Sequence, residues 1–188
     1  LAADGAFIAG RFISANVPGR NGIARLRPSG ALDATFASVA GTAPIGDLRE
    51  GVIYQVNTMA LQGDGKVLIG GNFQRVEGQG RTNLARLLPD GKLDTNFNVR
   101  VDGPVHALLI DGTGHILLGG SFTTVNGLTR RGLARLTATG AMDATFAPAS
   151  GVEGGSVFAL AVQTNGQILV GGDFSMVNGV ARSRVARI

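Results

Sequence analysis

Residues 65–73 read GKVLIGGNF and are followed by Leu84-Ala85-Arg86-Leu87, and this text returns along the chain. Residues 114–122 (GHILLGGSF) precede Leu133-Ala134-Arg135-Leu136, and residues 166–174 (GQILVGGDF) precede Val185-Ala186-Arg187-Ile188. A shorter copy at residues 5–12 (GAFIAGRF) precedes Ile23-Ala24-Arg25-Leu26. Aligned on Arg25, Arg86, Arg135 and Arg187, the copies stand 61, 49 and 52 residues apart. A repeat of this length is one supersecondary unit that buries its apolar face only against its neighbours, which confines the chain to repeat architectures.

Other columns keep the same register. Phe12, Phe73, Phe122 and Phe174 each stand 13 residues before the aligned arginine, and a second arginine recurs at Arg20, Arg81, Arg130 and Arg182. Downstream, residues 30–36 (GALDATF), 91–97 (GKLDTNF) and 140–146 (GAMDATF) match; upstream, so do the mostly apolar runs 56–61, 105–110 and 157–162. Each unit parses into four short β segments with no sustained helical period. The first segment, being mostly apolar, is expected to be buried on both faces. Asp64-Gly65, Thr113-Gly114 and Asn165-Gly166 are expected to make primed hairpin turns. Val76-Glu77-Gly78, Val125-Asn126-Gly127 and Val177-Asn178-Gly179 form a second loop, with hairpin chemistry in the last two. A glycine pair inside the second segment marks a bulge or a close approach of another backbone. The expected fold is therefore all-β, a β-propeller or propeller arc built of four-stranded antiparallel blades of about 50 residues.

The expected organisation is a single repeat domain over 1–188, with units 1–55 (partial, with an insertion at 37–55), 56–104, 105–156 and 157–188 (partial). Both ends fall inside a unit, so the sequence reads as an arc of a longer chain. The insertion holds Pro44, Asp47, Arg49, Glu50 and Tyr54, and long loops on rigid scaffolds often carry function.

The GKVLIGGNF text, Val-Asn-Gly, Leu-Ala-Arg-Leu and Gly-x-Leu-Asp-x-x-Phe, in fixed order over nearly all the chain outside the insertion, resemble the bacterial delta-sixty repeat family. The resemblance implies a β-propeller in an extracellular or cell-surface setting, and it brings no catalytic residue with it. The first copy departs from the pattern by its missing glycine and its Pro18-Gly19 loop.

Several chemistries are disfavoured by what the chain contains. Cysteine is absent, which removes disulfides and thiolate metal sites, and no run of about 18 apolar residues offers a membrane helix. The 30 glycines have no three-residue period and sit at matched turn positions. The net charge of +4 invites a nucleic-acid partner, but eight of the fifteen arginines fill the two repeated columns and read as scaffold, so none is expected. Gly112-Thr113-Gly114 lies in a hairpin between strands, where a dinucleotide fingerprint has no helix to open. His106 and His115 fall in different columns with no recurring carboxylate, so no metal and no cofactor is expected. There is no nucleophile elbow, and the chain is not read as an enzyme.

The repeated phenylalanines read as packing between units. Arg25, Arg86 and Arg135 fall opposite Asp33, Asp94 and Asp143 and are expected to form bidentate structural ion pairs. Individuality lies where the copies differ. Asn57, His106 and Phe158 share one such column, and Gln74-Arg75, Thr123-Thr124 and Ser175-Met176 share another. The candidate binding residues are Asp47, Arg49, Glu50 and Tyr54 of the insertion with Asn57, His106 and Phe158. The expected function is a non-enzymatic binding or structural module of a bacterial cell-surface or secreted protein, mediating protein–protein contact or adhesion with a protein partner or with other domains of a larger polypeptide. The alternative is carbohydrate recognition, lectin-like or beside a glycosidase, although the chain has no tryptophan and one tyrosine to stack on a sugar.

Overall fold

The computed structural model describes residues 5–13, 21–36, 55–146 and 151–188. The first unit contributes a two-stranded antiparallel sheet, β1 (Ala6–Ile13) and β2 (Asn21–Leu26). In the second, β3 (Gln55–Leu61) and β4 (Val67–Asn72) are followed by a small hairpin of β5 (Arg75–Val76) and β6 (Gln79–Gly80) and then by β7 (Leu84–Leu87). β4 lies between β3 and β7 in a three-stranded sheet. The third unit repeats this with β8 (Val105–Ile110), β9 (Ile116–Gly120), the hairpin β10 (Thr124–Val125) and β11 (Leu128–Thr129), and β12 (Leu133–Leu136). At the end of the third unit β13 (Val152–Glu153) precedes β14 (Val157–Val162) and β15 (Ile168–Gly172) of the fourth, and it pairs with the fourth unit's hairpin of β16 (Met176–Val177) and β17 (Val180–Ala181). β18 (Val185–Arg187) completes that unit's sheet. No helix occurs among the described residues, and no strand pairing among them joins the fourth sheet to the first.

The sheets pack face to face in chain order, β1 against β3, β3 against β8 and β8 against β14. Strand alternation divides each central strand between two cores. Val67 and Ile69 of β4 join Ile23, Phe36 and Phe73 between the first and second sheets, while Leu68 joins Phe97, Ile116 and Leu118 between the second and third. β9 does the same, sending Leu117 to the core it shares with Val157 and Phe174 of the fourth unit. It is thus the second segment, not the first, that is buried on both faces. β4 is buried from Val67 to Gly71, whereas in β3 only Val56 is buried and the other positions are partly or fully exposed. Edge position alone does not set this: β3 and β7 are both edges of the second sheet, and β7 is buried throughout. Phe36, Phe73, Phe97, Phe122 and Phe174 are buried between units, and Phe146 packs on the third core.

One of the two turn types differs from expectation in an instructive way. At the first hairpin only Gly65, Gly114 and Gly166 have positive φ, while Asp64, Thr113 and Asn165 do not. Gly65 N–H donates to the Gln62 carbonyl and Gln62 N–H to the Lys66 carbonyl, the pattern of a three-residue loop ending in a left-handed glycine. A β-branched Thr113 is strongly disfavoured at positive φ, so the primed form is avoided. The primed turn is found at the hairpin tips, where Asn126-Gly127 and Asn178-Gly179 are both left-handed, and Glu77-Gly78 adopts the same shape without an asparagine.

The fourth segment is shorter than a strand. Leu26 bridges Leu32, Leu87 bridges Leu93 and Leu136 bridges Met142, each as one isolated antiparallel pair. Immediately afterwards the aspartate Oδ1 accepts the amide two residues on, Asp33 from Thr35 (2.9 Å), Asp94 from Asn96 (3.1 Å) and Asp143 from Thr145 (2.8 Å). That side-chain turn bends the chain away before a ladder can grow. The sheets are therefore two- and three-stranded, not the four-stranded blades expected.

The glycine pair serves both purposes anticipated for it. A Cβ on Gly70 or Gly119 would stand 2.6 or 2.5 Å from the valine of the next unit, Val105 or Val157, so the first glycine of each pair lets the units close up. A Cβ on Gly71, Gly120 or Gly172 would strike the carbonyl oxygen of Gln55, Pro104 or Ser156 at 1.9, 2.2 and 1.9 Å. Here the partner strand skips a residue: pairing passes from Val56 to Thr58, from Val105 to Ala107 and from Val157 to Ala159. The residues left out of register are Asn57, His106 and Phe158.

Candidate functional site

The arginine and aspartate columns form a structural ladder. Arg25 Nε lies 2.8 Å from Asp33 Oδ2, Arg86 Nε 2.9 Å from Asp94 Oδ2 and Arg135 Nε 2.6 Å from Asp143 Oδ2. The contact is single, not the bidentate fork expected, because each aspartate's other oxygen holds its own turn. The spare guanidinium nitrogens reach elsewhere. Arg25 Nη1 donates to the Pro89 carbonyl (3.2 Å) and Arg86 Nη1 to the Ala138 carbonyl (2.7 Å), each a turn of the following unit. Each guanidinium also covers a phenylalanine ring, at 5.1 Å for Arg25 on Phe36, 4.4 Å for Arg86 on Phe97 and 4.7 Å for Arg135 on Phe146.

The Thr35 hydroxyl and amide, with Arg25, hold Asp33 down to a pKa of about 2 against the opposing pull of burial, and Thr145 and Arg135 hold Asp143 lower still. Because both folded-state values lie below the unfolded value of about 3.9, this stabilisation is complete above pH ~4 and is lost as the pH falls through about 2. Thr145→Val removes the largest contributor, and its acid-unfolding midpoint is expected at a higher pH than that of the parent. Melting temperatures measured from pH 7 to pH 2 test this; parallel curves for the two proteins would refute it.

The bulged residues form a different kind of assembly. Asn57 Nδ2 donates to the Val105 carbonyl (3.0 Å) and faces His106 Nδ1 at 3.2 Å. The His106 ring stands 5.2 Å from that of Phe158, which is half exposed. Three side chains from three successive units thus make one row. His106 Nε2 meets Ser121 Oγ at 2.8 Å, Ser121 Oγ donates to Ser156 Oγ (2.7 Å), and Asp173 Oδ1 accepts from Ser156 N–H (2.6 Å). Ser121, Ser156 and Asp173 are not among the residues that the sequence singles out. The signal available is the residue after each glycine pair, Asn72, Ser121 and Asp173, which also varies between copies.

The polarity of the row follows from Asn57. Its Nδ2 is fixed as the donor by the Val105 carbonyl, so His106 Nδ1 accepts and Nε2 carries the proton. Burial, only partly offset by Asp173, keeps the pKa of His106 below the usual histidine value, which favours this neutral form. An Nε2–H donates to Ser121 and takes no proton from it, so the pair lacks the base that an activated serine needs. What the row offers is a ring face, amide and hydroxyl groups at an open edge. Of the other candidates, Asp47, Arg49, Glu50 and Tyr54 lie outside the described residues. Among those described, no group of three His, Asp or Glu side chains is placed to hold a metal.

A family model described as a domain of unknown function (DUF5122) beta-propeller matches residues 3–36, 62–97, 112–146 and 163–188, more than half of the chain. The chain belongs to the DUF5122 β-propeller family. Neither curated proteins nor solved structures yielded a match. The DUF5122 segments take in the central strands, the glycine pairs and the arginine–aspartate ladder. Residues 37–61, 98–111 and 147–162, between them, contain Asn57, His106 and Phe158.

Proposed function

We propose that this chain is a non-enzymatic binding module of a bacterial cell-surface or secreted protein, one that holds a protein partner through the row Asn57, His106 and Phe158. The observation that carries the reading is the bulge: it turns out of the ladder a residue whose chemistry differs in each of the three units, and the three meet side by side. The surface or secreted setting rests on the delta-sixty resemblance. The same reading takes each three-stranded sheet with its bridged Leu-Asp segment as one four-stranded blade.

A second reading, carbohydrate recognition, is favoured by the exposed Phe158 ring beside the Ser121 and Ser156 hydroxyls, since an aromatic face flanked by polar groups suits a sugar. Selection from a displayed peptide library and a glycan array, each run with the parent and with Phe158→Ala and His106→Ala, separates the two. Peptide binders that lose at least about tenfold affinity on either substitution, as expected of a central aromatic contact, support the protein partner. A reproducible glycan hit lost on Phe158→Ala supports the sugar. Binders of both kinds that ignore both substitutions overturn the site.

A further inference from the structure

We propose a second site, separate from the row, in the cleft between the hairpin tips of the second and third units, and assign it an acidic peptide segment as ligand. The cleft encloses about 950 Å3, the size of a ligand site. Asn83 and Val101 lie buried at its floor. The Asn83 amide is held at both ends, accepting from Phe73 N–H (3.1 Å) and donating to the Val101 carbonyl (2.9 Å), so the floor is fixed in place.

The walls carry charge with no internal use. Arg75 enters from the β5–β6 hairpin and Arg100 from the segment leading to β8. The Arg100 backbone is pinned at both ends to Asn126, its N–H to Oδ1 (2.9 Å) and its carbonyl to the Asn126 N–H (2.8 Å), yet its guanidinium has no partner among the described residues. Arg75 makes one long bond, 3.4 Å to the Gly78 carbonyl. The repeated arginines differ sharply: Arg25, Arg86 and Arg135 are paired with aspartates, and Arg81, Arg130 and Arg182 donate to the carbonyls of Gly80, Thr129 and Ala181. The one carboxylate lining the cleft among the described residues, Asp102, already accepts from Thr123 N–H (2.8 Å), the Thr123 hydroxyl (2.5 Å) and Thr124 N–H (2.9 Å). The cleft therefore presents surplus donors and positive charge, and guanidinium forks match carboxylates.

A peptide fits better than an acidic sugar. Among the described residues no aromatic ring lines the cleft to stack on a sugar face, whereas the Asn72 and Asn98 amides supply both a donor and an acceptor for peptide groups. Among the described residues the site also occurs once, because the position of Arg75 is Thr124 in the third unit and Met176 in the fourth.

Fluorescence anisotropy with a labelled Gly-Glu-Glu-Glu-Gly peptide tests the assignment, with Gly-Gln-Gln-Gln-Gly and trigalacturonate for comparison. The glutamate peptide is expected to bind at least about tenfold more tightly than either, and more weakly as salt rises. Arg75→Ala and Arg100→Ala should each cost about tenfold or more, as loss of a charge-assisted bond does, while Arg131→Ala, an exposed arginine outside the cleft, and Phe158→Ala should leave binding unchanged. Absence of peptide binding, equal losses from Arg131→Ala, or preference for trigalacturonate would overturn the proposal; loss on Phe158→Ala alone would move the peptide to the row.

Discussion

Replacing Arg86 with alanine is expected to lower stability by about 3–5 kcal/mol, the range for removing one partner of a buried ion pair. That corresponds to about 6–20 °C in melting temperature for a chain of this length. The side chains of Arg86 and Asp94 are 10% and 7% exposed, so water does little to compensate the aspartate left behind. Three further contacts go at once: the Ala138 carbonyl of the next unit loses its 2.7 Å donor, Gln62 loses a 3.4 Å contact, and the Phe97 ring loses its cover. Lysine should not restore them, since one ammonium cannot serve Asp94 and Ala138 while lying flat on a ring. Arg25, whose pair is 22% and 12% exposed, is expected to lose less when truncated. Denaturant unfolding of Arg86→Ala, Arg86→Lys and Arg25→Ala measures this order, and an Arg86→Ala midpoint equal to that of the parent would refute the ladder's role.

Gly120→Ala is expected to cost toward the upper end of about 1–3 kcal/mol, because a methyl there has no room. It would lie 2.2 Å from the Pro104 carbonyl oxygen and 2.9 Å from the Phe122 ring, and backbone has to move to admit it. The movement falls on the bulge that carries His106, so the Asn57–His106 contact should be lost together with stability. Gly112 provides the comparison. A methyl added there would meet no heavy atom within 4 Å, and the residue has no positive φ, so Gly112→Ala should stay within about ±0.5 kcal/mol. Calorimetry on both, with the histidine ring resonances as reporter of His106, separates a packing effect from a general intolerance of alanine; equal behaviour of the two would count against the bulge.

Much of this is legible in the order of residues. The arginine and aspartate fall opposite each other across one short turn, so their pairing can be read from spacing. Its single-oxygen geometry cannot, because the turn after Asp94 competes for the same carboxylate. The glycine pair announces a bulge or a close approach, and it supplies both. The apolar run of β3 suggests full burial, but apolarity does not say which strands the stacked sheets cover; β3 and β7 are both edge strands, and only β7 is buried throughout.

The candidate site shows the same division. Asn57, His106 and Phe158 are visible as a column that varies, yet nothing local says that they touch. Their neighbours Ser121, Ser156 and Asp173 come from other columns and join only because each unit stacks on the next.

From the sequence alone come the repeat, the all-β character, the Asn-Gly hairpin tips and the ion-pair columns, all governed by alternation and turn chemistry that act over short stretches of chain. The tertiary structure decides which residues of different units meet. Gly70 admits Val105, Arg86 reaches Ala138 across 52 residues, and Asn57 faces His106 across 49. Those contacts depend on the stacking of whole sheets, a property of packed volume and bulge geometry that no single unit carries in its own text.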